Sequence, residues 1–305
     1  LHQPQRQDVV LVHDKPWEGN TCGVHTVFRD GPIYRMYYRA WNARNKKPTH
    51  PPFVCYAQSE DGIHWTRPTL GVVEFQGSKE NNIIWSGKGA RNFTPFKDAN
   101  PDRAREAAYK AVGGNAWHGP GLFAFQSADG INWELMVEDP IITEGKFDTQ
   151  NVAFWDTVRS EYRVYFRDFR NGRRDIKTAT SQDFIHWSKG KWLEYPGAPK
   201  EQLYTNQIRP YYRAPHLFIG FPARYIEDRG SLVEGLFMSS RNGRTFHRWG
   251  EAIIPPGRNQ DRWQNRSNYI WYGLVETESE LPGAGKELSM YTNERYFGPK
   301  GVKTR

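Results

Sequence analysis

Cysteine is almost absent: the 305 residues hold two, Cys22 and Cys55. That excludes a disulfide-stapled scaffold. Both cysteines sit in apolar or tight sequence, so two buried free thiols are expected, with a single bridge as the alternative. Long apolar runs are also missing. Nothing approaches the roughly 18 consecutive apolar residues of a membrane-crossing helix, so no membrane span is expected. No Pro/Ser/Gly-rich linker, low-complexity tract or charge run marks a boundary, and a chain of this length holds one large repeat domain or two ordinary ones. The net charge of +8 is not gathered into a basic stripe, and neither finger spacing nor a helix-turn-helix pattern accompanies it. That argues against a nucleic-acid partner. His and Cys do not fall at metal-ligand spacing. Gly87-Lys88-Gly89 is too short for a phosphate loop. Helical pattern is scarce, with 101–108 the one candidate, as a short surface turn.

Aromatic residues are abundant: 12 Trp, 16 Tyr and 17 Phe make 15% of the chain. Four of the tryptophans close a recurring signature. It reads Ser59-Glu60-Asp61-Gly62-Ile63-His64-Trp65, then Ser127-Ala128-Asp129-Gly130-Ile131-Asn132-Trp133, then Ser181-Gln182-Asp183-Phe184-Ile185-His186-Trp187. A decayed copy runs from Ser240 to Trp249. Self-similarity at a variable period of about 60 residues means a stack of like units. Strand-like runs precede the signatures, as in Phe53-Val54-Cys55-Tyr56-Ala57 and Gly121-Leu122-Phe123-Ala124-Phe125. Aromatic and β-branched residues suit a pleated, half-buried surface, and Asp-Gly supplies the turn. The tryptophan past the turn is placed to pack between neighbouring units.

Dissecting the repeats predicts an all-β, five-bladed β-propeller as one domain over 1–305, with blades near 17–68, 82–136, 147–192, 203–250 and 264–297. The last blade has no signature of its own, and an open sheet edge invites aggregation. The unpartnered run at 8–13 is therefore expected to close the ring by pairing into the last blade. The inner strand of each blade lines the central channel. Those strands are assigned to 17–21, 92–98, 147–151, 204–209 and 264–268. They are polar and rich in amides, including Asn20, Gln150 and Asn206. Buried polar groups are costly unless something uses them, and a sugar with its many hydroxyls would do so. Three of the strands carry a carboxylate: Glu18, Asp98 and Asp148. Each alone reads as a turn or capping residue. Three in succession favour a site, because glycoside hydrolysis needs carboxyl groups on both sides of the scissile bond.

This layout resembles the five-bladed propeller glycoside hydrolases, the superfamily that includes families 43, 32 and 117. Their units also carry Ser-x-Asp-x-x-x-Trp turns, as at Ser59 to Trp65 and Ser181 to Trp187. The resemblance implies Glu18 as base or nucleophile, Asp98 as modulator and Asp148 as general acid. The chain departs from the pattern with Glu in blade one, Asp in blade three, and no Trp-Met-Asn-Asp-Pro-Asn run. Glu234, Glu227, Asp168 and Glu276 are fallback acids. Arg91, Arg209 and Arg266 lie on or before inner strands, where arginine recognises carboxylate, sulfate or phosphate. The bulk charge suits an anionic glycan through steering. His25, Trp117, His118 and Trp271 offer a sugar platform.

The expected function is a glycoside hydrolase acting from the chain end, in a pocket at the channel mouth. A non-catalytic carbohydrate-binding propeller is the first alternative and a sialidase-like enzyme the second. No cofactor is expected, although oxygen ligands in the channel leave room for a structural calcium ion. The first residues are neither a Met start nor a signal peptide, so a mature secreted or periplasmic protein is expected. Further residues beyond Arg305 are not excluded.

Overall fold

The aromatic and β-branched runs form antiparallel groups taken in chain order. In the computed structural model, which describes residues 2–44, 47–115, 119–263, 266–279, 281–299 and 301–305, the first group is Gly23–Asp30, Ile33–Ala40, Phe53–Ser59 and Ile83–Ser86. The second is Thr94–Lys97, Tyr109–Asn115, Gly121–Ser127 and Glu134–Leu135. The third is Val152–Asp156, Glu161–Arg170, Arg173–Ser181 and Lys191–Trp192. The fourth is Arg209–Tyr211, Ala214–Gly220, Met238–Ser240 and His247–Arg248. The fifth is Ile270–Thr277, Glu287–Glu294 and Lys303–Thr304, with Leu11–Val12 paired to its last strand. A parallel pairing of Thr26 with Tyr272 joins the fifth group to the first.

The opening strands of the groups pack against one another, first on second, second on third, and fifth on first. Between the sheets lies an aromatic core in which Tyr37, Tyr56, Tyr162, Tyr165, Phe125 and Phe166 are fully buried. Cys22 and Cys55 are buried free thiols. Among the described residues helix is confined to short 3-10 turns such as Arg105–Ala107, and none is long and apolar enough to cross a membrane.

The repeated signature is a hydrogen-bonded turn with one design. Ser127 Oγ accepts from Gly130 N at 2.9 Å, and Asp129 Oδ1 accepts from Ile131 N and Asn132 N at 2.8 Å. Trp133 Nε1 donates to Gly130 O at 3.0 Å. The same bonds recur around Ser59 and Ser181, and around Ser240 with Asn242 in place of the Asp and without the tryptophan bond. The fourth residue of each turn is left-handed: Gly62 at φ 81°, Gly130 at 78°, Gly243 at 72°, and Phe184 at 70°. A non-glycine residue there costs about 1–3 kcal/mol. Burying a phenylalanine side chain contributes about 1.5–3 kcal/mol, and Phe184 is fully buried against Phe96 of the preceding group and Tyr162 of its own. The third copy therefore keeps the turn by replacing glycine's freedom with core packing.

The preceding group grips each turn. Tyr291 OH donates to Gly62 O at 2.6 Å, Arg35 Nη1 to Asp129 O at 2.8 Å, and Tyr165 OH to Gly243 O at 2.7 Å. Trp65 packs on Tyr291 and Trp133 on Tyr37, each across a sheet boundary as expected. Removing the buried hydroxyl with Ser127→Ala leaves Gly130 N–H without its acceptor. Stability should fall by about 2 kcal/mol, read as a lower urea midpoint at unchanged slope.

Candidate active site

The polar segments assigned above to inner strands are mostly lead-ins to those strands. Regular pairing begins later, at Gly23, Thr94, Val152, Arg209 and Ile270. The cause is a left-handed residue in each lead-in or at the strand's start: Val24 at φ 59°, Asn92 at 59°, Phe147 at 51°, Gln207 at 49°, and both Arg266 and Asn268 above 60°. Such backbone is rare outside glycine and is an outlier for a β-branched residue like Val24. It turns the chain across the channel.

The amides of these lead-ins mostly satisfy the protein itself. Gln150 is the hub. Its Nε2 donates to His25 O at 2.9 Å and Thr26 Oγ1 at 3.0 Å. Its Oε1 accepts from Gln207 Nε2 at 2.9 Å and Tyr272 N at 3.3 Å. One side chain of the third group thus ties the first, fourth and fifth. Asn92 Nδ2 donates to Phe147 O at 3.0 Å, and Asn206 Nδ2 to Tyr165 O at 3.3 Å. Asn20 braces Ala43 through both its amide atoms at 2.9 Å.

Over this network lies a pocket to which all five groups contribute. Val24 and Arg39 come from the first, Asn92 from the second, and Asp148, Thr149 and Gln150 from the third. Tyr204 comes from the fourth, and Arg266, Tyr269, Trp271 and Tyr296 from the fifth. About 330 Å³ lies between its walls with open solvent included, and the closed-in part is about 30 Å³, room for roughly two waters at about 10–15 Å³ each. The aromatic wall is continuous, with Tyr204–Tyr269 at 5.6 Å and Tyr269–Trp271 at 5.4 Å between ring centres.

Asp148 is the one carboxylate among the described residues of the pocket wall. Its side chain is 28% exposed, and its Oδ2 lies 3.7 Å from Arg167 Nη2. The other two expected carboxylates are elsewhere. Asp98 follows the far end of Thr94–Lys97, six residues from Asn92 and so about 20 Å along an extended chain. It is buried and bonded to Lys110 Nζ and to Tyr162 OH at 2.7 Å. Glu18 is buried, held by Arg67 Nη1 at 2.7 Å, by Tyr38 OH, and by Lys15 N at 3.0 Å. Both are closed inside ion pairs instead of facing an open pocket. The fallback acids are also paired: Glu234 with Arg224, Asp168 with Lys177, Glu276 with Arg213, and Glu227 with Arg174.

Of the expected binding residues, Gln150, Arg266 and Trp271 line the pocket. Arg91 stacks on Trp41 at 4.2 Å. Arg209 lies against Tyr272 and donates to Leu274 O. His25 is fully buried, bonded to His13 Nε2 at 3.0 Å and Thr304 Oγ1 at 2.9 Å. Trp117 and His118 lie outside the described residues. Arg39, Arg167, Tyr204, Tyr269 and Tyr296 were missed. A second repeat could have found the arginines: Tyr34-Arg35-Met36-Tyr37-Tyr38-Arg39 matches Tyr162-Arg163-Val164-Tyr165-Phe166-Arg167. In each copy the first arginine lies at the next group's turn, and the last reaches the pocket region.

Behind the wall, His13, His25 and Glu18 form a buried charged network. Burial pulls the His13 imidazole down, but Cys22 and Glu18 override it and hold it at about 9. Burial pushes Glu18 up, yet His13, Arg67 and Tyr38 hold it at about 2. Burial, His13 and Arg39 together push His25 well below 6.5. His13 therefore stabilises the fold fully below about 6.5 and loses its contribution as pH rises through about 9. The native state excludes a proton from His25 that the unfolded chain accepts below 6.5, so acid weakens the fold from that side. Glu18 contributes above 4.5 and is lost towards 2. The thermal midpoint should fall on both sides of neutrality, with His13→Gln flattening the alkaline fall. Glu18→Gln should lower unfolding free energy by about 3 kcal/mol in urea titration, because the buried His13 imidazolium loses its carboxylate while Arg67 keeps only Asp14 as a carboxylate partner.

No sequence-family model matches this chain, and no curated protein matches it. Solved structures do. A glycoside hydrolase superposes with a TM-score of 0.62 at 15% identity, covering 97% of this chain and 89% of that one. A fructofuranosidase variant from Schwanniomyces occidentalis, complexed with fructosylnystose, gives 0.60 at 11% identity over 97% of this chain and 57% of the other. An N-acetylgalactosamine deacetylase from F. plautii, in complex with blood group B trisaccharide, gives 0.57 at 11% identity over 96% and 94%. At such identities the likeness is one of fold. The chain has the propeller-type fold of glycoside hydrolases of known structure.

Proposed function

We propose that this chain is a secreted or periplasmic carbohydrate-active enzyme that cleaves the terminal sugar from a glycan. Its frame is a five-bladed propeller in one domain, closed by the N-terminal strand paired to Lys303–Thr304. The observation that carries the reading is Asp148, a partly exposed carboxylate on a pocket wall shared with Tyr204, Tyr269 and Trp271. Aromatic faces suit the apolar side of a sugar ring, and convergent polar groups fix its orientation. The Gln150 and Gln207 amides cross the channel beneath. The pocket is blind in this reading, so it takes a chain end.

Asp148 is the group that transfers the proton. Arg167 at 3.7 Å positions its carboxylate at the pocket wall, which suits a base that draws a proton from the attacking water. The leaving oxygen takes its proton from a water on the open side of the pocket, because burial pushes the Tyr269 hydroxyl well above 10 and it keeps its own proton.

A second reading, sugar binding without cleavage, is favoured by one observation. Glu18 and Asp98 are sealed in ion pairs with Arg67 and Lys110, leaving no second carboxylate on the described wall. A panel of aryl glycosides separates the two. Turnover that drops by about 10²–10⁴-fold in Asp148→Asn, with sugar affinity and melting temperature kept, supports the enzyme. Binding of sugars by the wild-type protein with no turnover of any panel member supports the binding protein.

A further inference from the structure

The mouth of the pocket holds more positive charge than its single carboxylate can balance. Arg39 and Arg266 line it, Arg167 stands beside Asp148, and Arg91, stacked on Trp41, lies close enough to interact with Arg39, Arg266 and Asp148. Arg39 and Arg167 are each more than nine-tenths buried. Arg39 donates to Asn92 Oδ1 at 3.2 Å, Thr21 O at 3.3 Å and Tyr296 OH at 2.8 Å, and its Nε is left without a partner. Arg167 leaves Nε and Nη1 unpartnered. Among the described residues, the guanidinium groups of Arg91 and Arg266 meet an aromatic ring each and no hydrogen-bond acceptor. Burial, with Arg39 and Arg266 adding repulsion, lowers Arg91 to about 10.

A guanidinium presents five N–H donors in a planar fork that matches an oxyanion. Several such forks, pinned by Trp41, Tyr204 and Tyr296 and short of acceptors, form a site in want of a negative charge. Buried polar groups left unpaired are costly, and a bound anion would offset that cost. A neutral sugar would leave the forks facing only hydroxyls.

We infer that the sugar seated in this pocket carries a compact oxyanion, a carboxylate or a sulfate ester, clamped by Arg39, Arg91 and Arg266 across the pocket from the Asp148–Arg167 pair. The inference rests on the proposed reading of the pocket as the glycan site. The clamp sets which sugar binds, and Asp148 acts on its glycosidic bond.

The test is calorimetric titration of the intact chain with glucuronate, galacturonate and glucose 6-sulfate. The neutral parents glucose and galactose, and acetate and sulfate alone, serve as comparisons. Acidic sugars should bind at least tenfold tighter than their parents, with the advantage shrinking at high salt. The better of the uronates and the sulfated sugar identifies the anion. Arg91→Gln, at a partly buried position, should erase the preference while the circular dichroism spectrum stays that of the folded wild type. Arg266→Lys, which keeps the charge but loses the fork, should reduce it severalfold. Equal binding of acidic and neutral sugars overturns the clamp and leaves the glycan reading standing. Acetate or sulfate binding with no sugar bound, an adventitious ion only, overturns the clamp. Absence of any binding, with no turnover of the glycoside panel, removes both.

Discussion

The side-chain amide of Gln150 is the constraint on which the architecture turns. It is fully buried where the sheets converge, and its two ends reach His25 O, Thr26 Oγ1, Gln207 and Tyr272 N. A buried amide must find donors and acceptors of its own or cost free energy. Gln150 finds them on three other strand groups, so its satisfaction requires those groups to be in place together. The left-handed lead-ins at Val24, Asn92, Phe147 and Gln207 bring the chain across the channel to meet it. Strain of this kind persists only where the surroundings over-determine it, and here the amide network supplies that determination. The pocket above inherits a rigid floor.

Arginine does two tasks along single strands. In Ile33–Ala40, Arg35 holds the next group's turn through Asp129 O, while Arg39 reaches the pocket. Side chains two and four residues apart share one face of a strand, so the pair spans the sheet from rim to channel. Arg163 and Arg167 repeat the arrangement in Glu161–Arg170, with Gly243 as the turn gripped and Asp148 as the pocket partner. Assembly of neighbouring sheets and charge in the pocket are therefore linked. The net charge of +8 is not only a solvating surface, because part of it is drawn inward.

The three carboxylates show how position on a strand decides chemistry. Asp98 and Asp148 both border an opening strand, but one follows its strand and the other precedes it. That places them at opposite ends of their strands. Asp98 meets Lys110 and Tyr162, and Glu18 meets Arg67, Tyr38 and the His13–His25 pair. Each is a charge whose partner is built into the fold, with water excluded. Asp148 alone keeps contact with solvent beside Arg167.

Much of this was legible in the residues. Three turns with Ser, Asp and Trp at fixed spacing, and a fourth with Ser240 and Asn242, specify local hydrogen bonds, and local bonds need no knowledge of the rest of the chain. The strand groups and the packing of Trp65 and Trp133 followed from that repeat, and the polarity of the segments before each opening strand drew attention to Asp148 and Arg266. The partners of those polar groups were not legible. Amide-rich lead-ins read as sugar ligands, yet most of their hydrogen bonds close within the protein. Glu18 and Asp98 read as catalytic, yet Arg67 lies 49 residues from Glu18 and Tyr162 lies 64 from Asp98. A periodic pattern encodes what recurs within each unit. Which charge meets which depends on contacts between units far apart in the chain, and only the tertiary structure brings those together.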